Sequence, residues 1–174
     1  MRPRSRLIRI AHLTLMACAL TLSLTSTGCS GSNDKDGTTV QAATEAEITA
    51  QVNALADQIV GVIGDTKLTN PTSNAAPCEN DTGDDSETVN YVLGTYQIPV
   101  PNARHQAAFT QVRDHWRAQK WDITEDRFNE AQHRGSVSAK EPTSGSTFTL
   151  SSSASPEVLT LLITSACYRD SAAG

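Results

Sequence analysis

The chain opens with a segment that decides the compartment in which the rest must fold. Its first nine residues, MRPRSRLIR, carry four arginines and no acid, and they lead into an apolar run from Ile10 to Leu24 broken only by His12 and small hydroxyl residues. A basic start, a short apolar core and small residues after it make the pattern of a secretory signal peptide. A membrane-spanning helix needs about 20 apolar residues. This run is shorter and stops at Thr25-Ser26-Thr27-Gly28. Export would place folding in an oxidising compartment, where cysteines close into disulfides, and this restricts the fold more than any other feature.

Residues 26 to 29, Ser-Thr-Gly-Cys, resemble a lipobox, in which small residues precede a cysteine whose thiol receives a diacylglyceryl group before cleavage. Ser26 stands where that pattern usually has leucine or another aliphatic residue. The resemblance implies that residues 1–28 are removed as a signal peptide. Cys29 would then be lipidated, and the protein would be a lipoprotein held on the outer face of the cell membrane. The alternative is ordinary signal-peptidase cleavage, for which Val40-Gln41-Ala42 offers small residues, although far beyond the apolar run.

The remaining cysteines fit export. Cys18 leaves with the signal peptide and Cys29 would be acylated, so Cys78 and Cys167 are left to form one disulfide. Two unpaired buried thiols are the rival reading. Cleavage before Cys29 leaves 146 of the 174 residues, enough for one domain with a real core. Four of the 14 basic residues precede Cys29 and all 19 acids follow it, giving the exported part a net charge of −9. Such a surface repels nucleic acid, which is excluded as a partner.

From Cys29 to Ala43 the sequence is polar and has little to bury, so residues 29–43 are expected to be a lipidated cysteine and flexible tether. Asp34-Lys35-Asp36-Gly37 has the opening of a calcium loop without its later ligands. A single domain over residues 44–170 follows. Thr44-Glu45-Ala46-Glu47 forms a capping box, and Ile48, Val52, Leu55, Ile59 and Val62 recur at helical spacing as far as the stop at Gly64. Asp65 to Ser86 holds Pro71, Pro77, Cys78 and the acidic cluster Glu79, Asp81, Asp84, Asp85 and Glu87, and is expected to be an exposed loop pinned by the disulfide.

Residues 88–98 form a strand ended by Pro99-Val100-Pro101, and Asn102 is expected to cap a second helix with Ala108, Phe109, Val112 and Trp116 inward and Arg113, Arg117 and Lys120 in water. Four further runs, Trp121–Phe128, Gln132–Lys140, Ser146–Ser152 and Glu157–Cys167, read as an antiparallel meander. In the last, Leu159, Leu161 and Ile163 share one face and Val158 and Leu162 the other, so that strand is expected to be central and at least partly covered on both sides. The fold class is therefore α+β: two helices on a mostly antiparallel sheet of about five strands, with one disulfide.

The helix ending in His115-Trp116-Arg117-Ala118-Gln119-Lys120-Trp121, the Ser/Thr-rich meander and the closing Leu-Ile-Thr-Ser-Ala-Cys resemble small cell-surface lipoproteins of actinobacteria such as streptomycetes. The resemblance spans the signal and roughly residues 44 to 168. It implies location and fold, not an activity.

No motif commits the chain to a chemistry. His105, His115 and His133 lack ligand spacing and read as exposed or capping residues. No serine lies in a Gly-x-Ser-x-Gly elbow, and Glu125, Asp126 and Glu130 cannot be matched as a catalytic pair without a cleft. The acidic loop matches no calcium pattern and reads as a solvated cluster. No metal and no cofactor is expected. The leading expectation is an extracytoplasmic binding module, anchored by lipid, with an envelope protein, an envelope polymer or a small ligand as partner. A cell-envelope hydrolase using His133 or His115 with a nearby acid, or a passive accessory subunit of a membrane complex, are the alternatives.

Overall fold

The computed structural model describes residues 40–64, 66–79, 85–155 and 157–171, and only the backbone of 85–88. Cys29, the signal segment, Asp81 and Asp84 lie outside the described residues, as do the side chains of Asp85 and Glu87. Among the described residues no helix is long and apolar enough to cross a membrane.

Among the described residues, two α-helices lie on one face of an eight-stranded, mostly antiparallel sheet. In chain order the elements are β1 (Gln41–Ala43), α1 (Glu45–Ile63), β2 (Thr69–Glu79), β3 (Asp85–Pro99), α2 (His105–Ala118), β4 (Asp122–Asn129), β5 (Arg134–Lys140), β6 (Thr147–Ser152), β7 (Val158–Thr164) and β8 (Tyr168–Asp170). β2 runs along one edge of β3, and β7 and β8 follow one another along its other edge; β6, β5 and β4 continue outward from β7, and β1 from β8. The expected sheet of about five strands is thus corrected to eight. The three additional strands are β1, β2 and β8.

The first of them occupies the end of the expected tether: β1 pairs parallel with β8, joining Gln41 to Tyr168 and Ala43 to Asp170, and Ala43 is buried. The expected loop before β3 is instead β2, an 11-residue strand. It tolerates its prolines because it is an outermost strand, where a missing N–H can face away from the ladder. Pro71 falls in a register shift between Thr69 and Thr72, beside Asn70 at φ 48°, and Pro77 adjoins a second shift before Glu79. These irregularities absorb the residues that argued for a loop.

Helix α1 starts as its capping box dictates: the Thr44 hydroxyl accepts from the Glu47 amide at 3.3 Å, and the Glu47 carboxylate accepts from the Thr44 amide at 2.8 Å. Its fully inward line is Ile48, Val52, Ala56, Ile59 and Ile63, with Leu55 and Val62 half-buried beside it. The apolar stripe is therefore rotated by about one residue from the expected one. Gly64 ends the helix at φ 73°, ψ 157°, outside the left-handed helical region that was expected.

Asn102 does not cap α2 with its side chain. It begins a 3-10 turn, Asn102–Arg104, that runs directly into the helix, with the Arg104 amide bonded to the Pro101 carbonyl at 2.7 Å. The expected inward residues Ala108, Phe109, Val112 and Trp116 are all buried, and Trp116 stacks against Trp121 at 6.0 Å between centroids. Trp121 in turn lies 4.5 Å from Phe148 of β6.

The disulfide between Cys78 and Cys167 is present, with 6.3 Å between the α-carbons. Pro77 pairs with Asn90, and Asn90 also pairs with Tyr168. The bond therefore clips β2 to the start of β8 over the intervening strand β3.

Strand β7 is central, between β3 and β6. Leu159, Leu161 and Ile163 are fully buried beneath the helices, whereas Leu162 on the opposite face is 36 % exposed, so that face is less covered than expected. There the strands present hydroxyls. One row runs Thr72–Thr95–Leu162–Thr149–Ser138–Glu125 and the next Gln97–Thr160–Ser151–Ser136–Arg127. An antiparallel sheet can leave such a polar face to water.

Candidate ligand-binding cleft

Two polar groupings lie toward the β4 side of the sheet. The first follows from a bulge in β4: Ile123 pairs with Ala139, but Glu125, two residues on, pairs with Ser138. The extra residue turns Glu125 onto the open face and Asp126 toward α2. Asp126 then accepts from Arg113 at 3.4 Å and Arg117 at 3.3 Å, so these arginines bridge helix to sheet rather than merely facing water.

Glu125 accepts from the hydroxyls of Ser136 and Ser138, each at 3.1 Å, and pairs with Arg127. Burial works against its charge, but the bonds from Arg127, Ser136 and Ser138 outweigh it and hold the carboxyl below the usual carboxylate range. A carboxylate stabilised in this way is a poor proton acceptor, which argues against Ser138 as an activated nucleophile. Ser138 also shares a hydrogen bond with Thr149 at 2.9 Å, completing a hydroxyl network.

The second grouping is a cleft of about 150 Å³ lined by Asn102, His105, Gln132, Arg134, Ser152 and Ser153, with Ala154 at its edge. Each side is positioned by local backbone chemistry. Pro99-Val100-Pro101 takes the chain off the sheet, and the Val100 amide bonds to the Glu157 carbonyl at 3.0 Å, fixing the start of the 3-10 turn. His105 follows, only 1 % exposed, with its Nε2 2.9 Å from the Val100 carbonyl oxygen. A carbonyl can only accept, so Nε2 carries a proton, and in the neutral tautomer Nδ1 is then an acceptor. Nδ1 is buried and has no hydrogen-bond partner among the described residues. The ring meets Phe109 edge-on at 6.4 Å, which holds its plane.

Opposite, the β4–β5 connection is a 3-10 turn, Glu130–Gln132, in which the Asn129 side chain accepts from the Gln132 amide at 3.1 Å. His133 closes it at φ 49°, ψ 38°, a left-handed conformation in which histidine is among the less disfavoured residues. Its role there is conformational. Gly135 comes next because a β-carbon would stand 2.5 Å from the Arg127 carbonyl oxygen. The Gly135 amide donates to Ser152 Oγ at 3.0 Å, leaving the Ser152 hydroxyl hydrogen available to a ligand. Arg134 and Gln132 also line a neighbouring groove of about 340 Å³ with Arg127, Phe128, Asn129, Gly135 and Ser136.

The three expected exposed or capping histidines therefore separate. His133 is exposed and His115 half-buried, but His105 is a buried residue, a correction forced by its bond to Val100. Among the described residues no histidine is paired with a carboxylate, and no group of three or more histidine, cysteine, aspartate or glutamate residues is placed to hold a metal ion. Among the described residues Leu162 is the exposed large apolar side chain, and the indoles lie against the core. Compared with known proteins, the chain matches no family model, no curated protein and no solved structure.

Proposed function

We propose that this chain is a non-catalytic binding module, exported and held by a lipid on Cys29 at the outer face of the cell membrane, in the manner of small actinobacterial surface lipoproteins. The observation that carries the binding reading is the cleft around His105. Hydrogen-bonding groups from α2, the β4–β5 turn and the end of β6 converge there. A buried histidine bonded to a main-chain carbonyl is oriented for recognition and lacks the carboxylate partner of an acid–base relay. The disulfide between Cys78 and Cys167 is consistent with an oxidising compartment. An envelope protein or polymer is the partner class that such a display would meet.

The test combines metabolic fatty-acid labelling with binding to washed cell envelopes. Wild-type chain should carry label and fractionate with membranes, and Cys29→Ala should lose both. Label that persists in Cys29→Ala rejects the anchor. A chain purified in detergent that does not bind envelopes above background rejects the binding role.

A further inference from the structure

We propose that the His105 cleft binds a small ligand carrying both an anionic group and a free hydroxyl, of which a polyol phosphate is the simplest example. This rests on the binding-module reading and adds the ligand's chemistry. Three observations define it. Nδ1 of His105 is buried, has no hydrogen-bond partner among the described residues and, in the neutral tautomer whose Nε2 donates to the Val100 carbonyl, is an acceptor. A group satisfying it must bring a hydrogen, and a hydroxyl does so without adding a charge. The facing wall carries Arg134, which has no carboxylate partner among the described residues and lines both the cleft and the adjoining groove. In a sequence with an excess of acids, an unpaired guanidinium beside neutral amides and hydroxyls is a local preference for an anion.

Size supplies the remaining restriction. About 150 Å³ admits a fragment well below the usual range for drug-sized ligands, so the hydroxyl and the anion must be close neighbours in one small unit. The hydroxyl would donate to His105 Nδ1, the Ser152 hydroxyl and the Asn102 amide would donate to ligand oxygens, and the anion would lie on Arg134 toward the open groove. That opening allows the unit to be free or to be one residue of a longer chain.

The experiment is calorimetric titration of the full-length chain purified in detergent, at low salt, with glycerol 3-phosphate, glycerol and inorganic phosphate as separate probes. Glycerol 3-phosphate should bind saturably and at least about tenfold more tightly than either other probe, as expected when two charge-assisted or buried hydrogen bonds act together. Arg134→Gln, at an exposed position, should weaken it by about tenfold or more. His105→Phe keeps a ring of similar shape but removes the Nδ1 acceptor, so glycerol 3-phosphate and inorganic phosphate should become equivalent. If that variant melts early, the Arg134→Gln titration decides alone.

No saturable glycerol 3-phosphate binding by the wild type overturns the proposal. So does equal binding of inorganic phosphate, or an Arg134→Gln variant that binds as the wild type does. Failure of envelope binding with intact glycerol 3-phosphate binding would reject the display role and leave the cleft's chemistry standing. Envelope binding without glycerol 3-phosphate binding would do the reverse.

Discussion

Replacing Gly94 by alanine tests how tightly α1 is seated on the sheet. A β-carbon there would lie 2.6 Å from Tyr96 Oη and 2.6 Å from Val52 Cγ1, both inside any normal contact distance. Neither neighbour yields freely. Tyr96 is 1 % exposed and donates to Asn53 Oδ1 at 2.8 Å, while Val52 is on the fully buried line of α1. Overpacking of this kind costs about 1–3 kcal/mol, and displacing the Tyr96–Asn53 bond adds up to about 1 kcal/mol. Alanine's smaller unfolded-state entropy returns about 0.4–1 kcal/mol.

The net loss for Gly94→Ala is therefore about 1–3 kcal/mol, a fall in Tm of about 4–12 °C for a domain of this size, measured by circular dichroism under non-reducing conditions. Combining it with Tyr96→Phe removes the Oη contact and leaves those with the ring Cε2 at 2.8 Å and Val52, so the double variant should be less destabilised than the sum of the singles. A Gly94→Ala protein that melts at or above the wild-type temperature would refute the close seating of α1 on β3.

Cys78→Ser and Cys167→Ser should each lower stability by about 4 kcal/mol on the chain-entropy account of an 89-residue separation, and the double variant should be no worse than either single one. A smaller loss for the double variant than for both singles would instead point to damage by the leftover thiol. Because the Glu125 carboxyl is held below its ordinary range, the folded state binds fewer protons there than the unfolded state, and this stabilisation is present above about pH 4.3 and lost as pH falls through the folded value. Urea titrations of wild type and Glu125→Gln should accordingly converge below about pH 4, and a gap that widens in acid contradicts this sign. Asp126→Asn should cost less than about 1 kcal/mol by chemical denaturation, since its ion pairs with Arg113 and Arg117 are largely exposed.

What the sequence made legible follows the strength of its periodic signals. The capping box at Thr44, the α2 line through Phe109, Val112 and Trp116, the four-strand meander and the pairing of Cys78 with Cys167 all appear in the structure. Composition misled where long-range pairing overrode it. Pro71 and Pro77 looked incompatible with a strand, yet an outermost strand with two register shifts accommodates them. Strands as short as β1 and β8 carry no periodicity of their own: β8 exists because β3 offers it an edge, and β1 because β8 does. Leu55 and Val62 shared the arc of the expected stripe, but Ala56 and Ile63 face the sheet more squarely.

The cleft was less legible than the fold. His105 sits four residues beyond the second proline of Pro99-Val100-Pro101, after the 3-10 turn Asn102–Arg104, and nothing local announces that its ring folds back to the Val100 carbonyl. Its companions Gln132, Arg134 and Ser152 come from segments joined only by the sheet. The one available clue was a histidine at the start of an amphipathic helix directly after a rigid turn. That pattern fits a cap equally well.

The strand order also sets a reach. The chain enters the domain at β1, where Gln41 pairs with Tyr168 and Tyr168 with Asn90 of β3, whereas the cleft lies beside Ser152, which pairs with Leu159 and through it with Ile98 of β3. From Asn90 to Ile98 there are eight residue steps along β3, each about 3.4 Å, or about 27 Å along the strands. Were the chain fixed at Cys29, the domain would act as a boom: its hinge end is β1, stapled through β8 and the disulfide, and its working end is carried away by the length of the strands. Lengthening the segment before β1 would widen the area the cleft can sweep without changing this offset. An anchor at the C-terminal end instead would leave the offset nearly the same, because β8 lies next to β1.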